Sequence, residues 1–369
     1  MERRDEPRHF GTMHSVVPGV REAQACSAHW CDDMSVVERL WYGDAFPLER
    51  ALATVTLGPV SLVYGAIGAT RNALFDAGLL QAHRVSGAKV ISVGNLVVGG
   101  SGKTPLVIFL SRWGLAAGRK VAVLSRGYGR SSRAPLQFDG RALPPEPECG
   151  DEPRLIARSS GATVFVDADR VASARRAVAA GFDTLILDDG FQHRRLAREV
   201  DVLIRVPEAS TAVLPLGPGR EFSSGARRAT VVWNGQGGDD PAGALVVRGL
   251  RNGPASLRGQ RVVALAGIAR PKRFFDTLER LGAQLVVTER FPDHHRFTAA
   301  ELARFRQHTE RTQSILVTTE KDAERLPEGF PATVVETELS VTQGLETLAR
   351  AVGWPSACAP VPSVGEAAP

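Results

Sequence analysis

Short apolar segments alternate with amphipathic ones from Lys89 onward. The segments "AKVISVGN", "KVAVLS", "ATVFVD" and "DTLILDD" are nearly continuous runs of apolar residues, many of them β-branched. Between them, apolar residues recur at helical spacing, as in Leu106, Leu110 and Trp113. Continuous apolar strands that alternate with helices are typical of a parallel sheet covered on both faces. The pattern therefore predicts an α/β fold.

A second alternating region follows a turn-rich stretch over 207–260. Its strands are predicted at "RVVALAGI", "AQLVVTE", "SILVTTE" and "ATVVETEL", and its helices at "PKRFFDTLERLG", "AELARFRQHT" and near 342–352. This region predicts a second, smaller α/β unit. The pattern divides the chain into a first unit over 86–235, a linker over 236–260, a second unit over 261–355 and a loose tail over 356–369.

The N-terminal part has a different pattern. Residues 1–33 contain no apolar core of a secretory signal and are predicted to be a disordered or non-native extension, whereas 34–85 are predicted to form a helical, membrane-associating segment. Residues 51–70 contain no charge, and their length would suffice to span a bilayer. Glycines, threonines and a proline dilute this stretch, which favours a helix lying in the membrane interface or packing on the domain.

Composition adds less. The net charge is +5, but only five of the 45 basic residues are lysine, and the arginines are scattered. A phosphate-rich partner or an anionic membrane would suit this charge. A nucleic-acid partner is not expected, because no aromatic platform or dense basic groove is visible. Four cysteines without a C-x-x-C pair indicate a reducing compartment.

A glycine-rich loop lies between the first strand and the first helix of the α/β region. Residues 92–105 read "SVGNLVVGGSGKTP", with Val97 where the usual phosphate-binding loop has its first glycine. Strand, loop and helix in this order predict a nucleotide phosphate site, in which Lys103 reaches the phosphates and Thr104 binds Mg²⁺. The loop residues whose backbone would surround the phosphates are Gly99, Gly100, Ser101 and Gly102.

Two aspartates end a buried strand in "LILDDGFQHRRL". Asp188 and Asp189 would hold Mg²⁺ at the carboxyl end of a strand beside the phosphate loop. A turn that closes the strand is the alternative reading of the same residues. Gln192 and His193 follow in the same motif and strengthen the nucleotide-site reading.

Two loops carry candidate acid–base residues. In "CGDEPRLIA", Asp151 and Glu152 precede a helix and could serve only its dipole. In "FPDHHRFT", adjacent histidines make a poor metal chelate, but one histidine paired with a carboxylate from the other unit would form an acid–base pair. Spacing alone leaves both roles open.

Seven motifs in order resemble the tetraacyldisaccharide 4′-kinase family of lipid A biosynthesis, from about Trp41 to Gly353. They are "VGNLVVGGSGKTP", "SRGYGR", "GDEP", "DDGFQHRRL", "LPLGPGRE", "FPDHHRF" and "TTEKDAERL". This family also lacks the first loop glycine, so Val97 is regular for it. The resemblance implies a P-loop α/β/α sandwich with a second, smaller α/β/α unit, a cleft between them, and an N-terminal membrane-associated helix.

The resemblance also implies an activity. The family transfers the γ-phosphate of ATP, with Mg²⁺, to the 4′-hydroxyl of a membrane-embedded tetraacyldisaccharide 1-phosphate, which gives lipid IVA. It acts at the cytoplasmic face of the bacterial inner membrane. The lipid surface is then the expected contact, and no obligate protein partner is predicted.

Site roles follow from the same resemblance. Asp151 would be the base for the 4′-hydroxyl, and His294 its partner, with His295 as a competitor. Lys103 keeps its phosphate role, and the "DDGFQH" residues would line the nucleotide and Mg²⁺ site. Candidates to receive the 1-phosphate are Arg126, Arg130, Arg194, Arg195 and Arg220.

A P-loop GTPase switch is the main rival function. "TTEKD" is similar to the T-K-x-D guanine motif, but Glu320 stands between Thr319 and Lys321. A switch protein would also have no use for an apolar N-terminal segment. Preference for ATP or GTP would distinguish the two functions.

Overall fold

The computed structural model describes residues 36–42, 46–206, 210–235 and 239–361. The predicted N-terminal extension, 1–33, and the end of the predicted tail lie outside the described residues. Two helices come first, α1 (Val36–Tyr42) and α2 (Pro47–Asp76).

Helix α2 has 30 residues, and one narrow face of it packs on the body of the protein. The buried residues of this face are Ala53, Ser61 and Gly65. The Ser61 hydroxyl donates to the Val213 carbonyl at 2.5 Å, and the Phe222 ring occupies the space that a side chain at position 65 would need. Most of the other residues of the helix are exposed. By length and composition, α2 is apolar enough to cross a membrane.

The first α/β unit contains a seven-stranded sheet in the order β3-β4-β2-β5-β1-β6-β7. All neighbouring strands are parallel except β3 and β4. The strands are β1 (Lys89–Asn95), β2 (Val121–Ser125), β3 (Leu136–Phe138), β4 (Thr163–Val166), β5 (Thr184–Asp188), β6 (Val200–Ile204) and β7 (Val231–Trp233).

Helices cover both faces of this sheet, as the apolar strands predicted. One core cluster contains Trp113 and Ile156, and a second, on the opposite face, contains Phe165 and Val171. The helices of this unit are α3 (Lys103–Ala116), α4 (Glu146–Cys149), α5 (Asp151–Ser160) and α6 (Arg170–Ala179). A short 3-10 helix, Ser223–Arg228, precedes β7.

The second unit contains a five-stranded sheet in the order β10-β9-β11-β12-β8, parallel except for β8. Its strands are β8 (Ala242–Arg251), β9 (Arg261–Ala266), β10 (Gln284–Arg290), β11 (Ile315–Thr319) and β12 (Thr333–Gln343). Its helices are α7 (Pro271–Arg280), α8 (Ala299–Thr312) and α9 (Glu320–Ala323), followed by α10 (Leu345–Val352) and a 3-10 turn, Ser356–Cys358. The predicted α/β class with a smaller second unit is confirmed.

The structure differs from the predicted boundaries in two places. Strands β7 and β8 lie inside the stretch read as turns, and β8, within the suggested linker 236–260, pairs antiparallel with β12. At the other end, α10 returns to the first unit, where Leu348 and Val352 join its core and Trp354 meets Trp113 with ring centroids 5.6 Å apart. The chain therefore leaves the first unit after β7, forms the second sheet, and returns to the first unit at α10.

Candidate active site

The glycine-rich loop lies between β1 and α3. Gly99 and Gly102 have φ values of 101° and 83°, a left-handed conformation that favours glycine. The Val98 amide donates to the Pro218 carbonyl at 2.8 Å, which anchors the loop to the "LPLGPGRE" segment. The free amides at the start of α3 form the kind of site that binds phosphate.

Lys103 lies over this loop in a largely buried position. Its Nζ is 3.4 Å from both Asn95 Oδ1 and Ser101 Oγ, and 3.8 Å from Asp189 Oδ1. These oxygens hold the ammonium at the mouth of the loop, where it can meet a phosphate.

Asp188 ends β5, beside β1, with its side chain buried. Its Oδ2 accepts a hydrogen bond from Ser125 at 3.0 Å, whereas its buried Oδ1 has no partner. Burial, followed by the charges of Glu152 and Asp189, raises its pKa to about 7. A buried carboxylate oxygen without a partner fits a cation ligand.

The predicted Mg²⁺ ligands have few protein oxygens around them. Over the part of the chain that the structure describes, no group of three or more His, Cys, Asp or Glu side chains could hold a metal. This is compatible with Mg²⁺, which commonly takes one or two carboxylates and completes its shell with waters and substrate phosphates. Asp188, Asp189 and the Thr104 hydroxyl would supply the protein ligands.

Asp189 takes a left-handed conformation with φ of 52°. Both of its oxygens lie 2.8 Å from Arg220 Nη1. Burial opposes its ionisation, but Lys103 and Arg220 outweigh burial and lower its pKa. The carboxylate is thus charged, and Arg220 is occupied by it.

Gln192 and His193 have different surroundings. Gln192 Nε2 donates to the Asn95 carbonyl at 2.8 Å and to Glu221 at 3.1 Å, so it ties the aspartate turn to the phosphate loop. Burial, and then Arg170 and other arginines, lower the pKa of His193 to about 4. His193 is therefore a neutral imidazole.

Asp151 is the first residue of α5, and its side chain is 3% exposed. His294 of the second unit has Nδ1 at 3.0 and 2.9 Å from the two carboxylate oxygens. Arg325 Nε lies 3.5 Å from the same carboxylate. Burial opposes ionisation of Asp151, but His294 and Lys321 lower its pKa. The hydrogen bond that His294 donates to Asp151 raises the pKa of His294.

The structure brings His294, and not His295, to Asp151. His294 has φ of 62°, an uncommon conformation for a non-glycine residue that turns its ring toward the first unit. His295 Nε2 lies 3.1 Å from both oxygens of Glu301, and its ring stacks on Phe291 with centroids 4.6 Å apart. The two adjacent histidines thus serve different neighbours.

Lys321 is a site residue that the sequence did not indicate. Its Nζ lies 3.1 Å from Glu152, 3.0 Å from Asp293 and 3.3 Å from His294 Nε2. Its segment belongs to the family motif "TTEKDAERL" and is similar to a guanine motif, but neither likeness assigns a role to the lysine. The rarity of lysine in this sequence could have indicated Lys321. Two of the five lysines, Lys103 and Lys321, lie in this cleft.

Buried ion pairs join the two units next to this cluster. The Glu324 carboxylate, 2% exposed, meets Arg154 and Arg158 of α5 at 2.6 Å each. On the phosphate loop, a side chain on Gly100 would lie 3.0 Å from the Ala269 methyl of the second unit. Loop, aspartates and the Asp151–His294 pair therefore adjoin one inter-unit cleft.

The arginines suggested for the 1-phosphate are partly engaged elsewhere. Arg220 pairs with Asp189, and Arg194 pairs with Asp76 at 2.6 Å at the end of α2. Arg130 donates to backbone carbonyls of its own loop.

A glycine loop with its lysine, strand-end aspartates and a buried carboxylate–histidine pair define a P-loop phosphotransferase. Residues 53–352 match the family described as tetraacyldisaccharide-1-P 4′-kinase, LpxK. The tetraacyldisaccharide 4′-kinase of Anaeromyxobacter dehalogenans (strain 2CP-C) is 41% identical over 360 residues, which cover 86% of this chain and 95% of that protein. That of Anaeromyxobacter sp. (strain Fw109-5) is 44% identical over 333 residues, covering 79% and 88%.

A solved structure is also similar. The crystal structure of LpxK from Aquifex aeolicus in complex with ATP is 29% identical, with a TM-score of 0.69 over 82% of this chain and 98% of that one. The chain therefore belongs to the tetraacyldisaccharide-1-P 4′-kinase family, as its motifs indicated.

Proposed function

We propose that this protein transfers the γ-phosphoryl group of ATP to the 4′-hydroxyl of tetraacyldisaccharide 1-phosphate and so forms lipid IVA. The observation that carries the proposal is the contact of 2.9 Å between His294 of one unit and the buried Asp151 of the other, in the cleft that also holds the phosphate loop. Family membership supplies the substrate class, because its members carry the name of this reaction.

The phosphate end of the reaction is served by the first unit. Backbone amides of the loop and Lys103 hold the phosphates, and Gln192 keeps the aspartate turn against the loop. Asp188, Asp189 and Thr104 would bind Mg²⁺. When bound, the ion neutralises charge on the phosphate oxygens.

The acceptor end is served by both units. Asp151 removes the proton of the 4′-hydroxyl as the oxygen attacks phosphorus, and His294 holds the carboxylate in the orientation that this requires. Phosphoryl transfer depends on positioning and charge neutralisation more than on covalent chemistry. Because base and partner come from different units, the site is complete only when the units meet, which limits ATP hydrolysis without acceptor.

We also propose that α2 contacts the cytoplasmic face of the inner membrane. A substrate with four acyl chains stays in the bilayer, and α2 exposes Leu62 and Ile67 at 65% and 66%. Arg50 and Arg71 flank the uncharged stretch and suit the headgroup region. An exposed apolar face on one side and a packed face on the other favour a helix that lies in the interface.

A phosphoryl-transfer assay with ATP, Mg²⁺ and the lipid disaccharide 1-phosphate in detergent micelles tests the function. We expect a bis-phosphorylated lipid with ATP, little with GTP, and none from Lys103→Ala. Lys120→Met is the matched control, since Lys120 is exposed at the opposite end of the sheet. Nucleotide binding without lipid phosphorylation, under conditions in which a relative is active, would refute the kinase and favour the GTPase switch.

A further inference from the structure

Lys321 bridges the two units at the Asp151–His294 pair. Its side chain is 17% exposed and follows β11 of the second unit. It meets Glu152 of the first unit, and Asp293 and His294 of the loop after β10. The phosphate loop has its own lysine, Lys103, so the proposed phosphate binding assigns no role to Lys321.

The contact with His294 has a fixed direction. An ammonium group has three donors and no acceptor. Burial opposes the charge of Lys321, but Glu152, Asp151 and Asp293 outweigh burial and raise its pKa, so the group stays protonated. At 3.3 Å from that donor, His294 Nε2 has to be the acceptor.

The other ring nitrogen then carries the hydrogen. A neutral imidazole has one donor and one acceptor nitrogen. With Nε2 as acceptor, Nδ1–H donates to the Asp151 carboxylate, which lies at 2.9 and 3.0 Å. A doubly protonated ring would instead set an N–H donor against the ammonium.

The groups that face His294 pull its protonation in opposite directions. Asp151 on α5, and Asp293 at 3.7 Å on its own loop, favour the imidazolium. Lys321 opposes it, and Arg325 beside Asp151 adds positive charge nearby. The Tyr128 ring, from the loop after β2, lies 5.6 Å from the His294 ring, measured between centroids. Lys321 is the cation in direct contact with the ring.

We propose that Lys321 is a positioning residue that holds His294 as the neutral Nδ1–H tautomer, so that the imidazole orients Asp151 without delivering a second positive charge to it. This rests on the proposed kinase function. In the transfer, the 4′-oxygen forms its bond to the γ-phosphorus as the bond to the ADP oxygen breaks. The hydroxyl proton goes to an Asp151 oxygen, and His294 keeps its Nδ1 hydrogen throughout.

The alternative is that Lys321 is only an ion-pair link between the units. Loss of such a link would lower stability and slow the reaction equally at every pH. Loss of a tautomer-fixing donor leaves Nε2 free to take a proton. The imidazolium then persists to higher pH, and the acid limb of the rate moves upward with it.

The experiment compares Lys321→Met, Lys321→Arg and the control Lys120→Met with the wild type. Imidazole ¹⁵N spectra of histidine-labelled full-length protein report tautomer and titration, and the His294→Gln spectrum assigns the signal. Asp151 raises the pKa of His294, so we expect protonated Nδ1 and bare Nε2 in the wild type at a pH above this titration. In Lys321→Met, the pKa of His294 and the pH at which kcat falls on the acid side should both rise by about one unit or more. Lys321→Arg should give values between those of the wild type and Lys321→Met.

Two results would overturn the proposal. One is a wild-type His294 whose neutral ring, at a pH above its titration, carries its hydrogen at Nε2. The other is a Lys321→Met enzyme whose rate falls uniformly with no movement of either titration. The spectra need no turnover. A wild type with the expected tautomer but no lipid phosphorylation would therefore reject the kinase function and leave the tautomer that Lys321 fixes standing.

Discussion

At the scale of single residues, the candidate site contains a buried charge that lowers stability and is needed for the proposed function. Asp188 is fully buried with one oxygen unpartnered, which is unfavourable for the folded protein alone. The same oxygen is free to bind a cation. Such a residue trades stability for function.

Asp188→Asn tests this trade directly. Because the change removes a buried charge and keeps the shape, the melting temperature in EDTA should rise. Mg²⁺-dependent lipid phosphorylation should fall by about 100-fold or more, as for loss of an electrostatic contact to the transition state. Calorimetry and the lipid assay measure the two effects. A variant that is both less stable without metal and fully active would contradict this role.

The two adjacent histidines provide a matched pair. His294→Ala should lower kcat by about 100-fold, because Asp151 loses its orienting hydrogen bond. His295→Ala should lower kcat less than tenfold and mainly reduce stability, since its ring stacks on Phe291 and meets Glu301. Steady-state kinetics and thermal unfolding of both variants separate these effects. Equal losses of kcat would remove the distinction.

The sequence predicts some of these residues and not others, for a physical reason. Lys103, Asp188 and Asp189 lie near one another because parallel strands end at a common edge, which the pattern of strands already implies. Asp151 and Lys321 are 170 positions apart, and only the docking of the two units brings their surroundings together. The choice of His294 depends on one backbone angle, which residue type does not reveal.

At the scale of elements, helix α8 fixes the loop that carries His294. Thr298 caps this helix by accepting from the Glu301 amide at 3.3 Å, and the Glu301 carboxylate accepts from the Thr298 amide at 2.7 Å. This reciprocal capping box ends the histidine loop at a defined point.

Thr298→Ala should lower the free energy of unfolding by about 1 kcal/mol, the usual effect of losing such a cap. Denaturant titration measures it, with Thr309→Ala, a half-buried threonine inside the same helix, as the control. An equal loss in both variants would show that the cap contributes nothing special.

The pH dependence of the cap has a definite sign. The Thr298 amide, and then the His295 and Thr298 side chains, lower the pKa of Glu301 to about 2 from 4.5. Its contribution is therefore fully present above pH 4.5 and lost as the pH falls toward 2. The stability difference between wild type and Glu301→Gln should shrink over that range.

Strand β8 is an element that the sequence pattern did not predict. Ala244 and Leu245 are exposed and its other residues are half-buried, and Gly243 and Gly249 interrupt the apolar pattern. The strand forms because the edge of β12 offers backbone partners. The sequence of β8 therefore does not predict a strand, whereas the apolar runs of the buried strands β1, β2 and β5 do.

At the scale of the whole molecule, we propose that the two α/β units form the catalytic site and that α2 contacts the membrane. Leu62→Glu combined with Ile67→Glu alters only exposed side chains, so folding and ATP binding should persist. Vesicle binding should fall tenfold or more, since each change removes about 2 kcal/mol of apolar contact.

Co-sedimentation with vesicles of anionic phospholipid measures this effect. Leu245→Glu is the matched control, because Leu245 is 53% exposed on β8 of the second unit. Unchanged vesicle binding in the α2 variant would place the membrane contact elsewhere.

The central claim is that Asp151 takes the proton of the lipid hydroxyl in the cleft between the units. The most direct measurement is the single-turnover rate of lipid phosphorylation by Asp151→Asn, with the surface variant Asp276→Asn as the control. We predict a fall of about 10²- to 10⁴-fold, with the Kd for ATP unchanged. A rate near that of the wild type would contradict the assignment of Asp151 as the base.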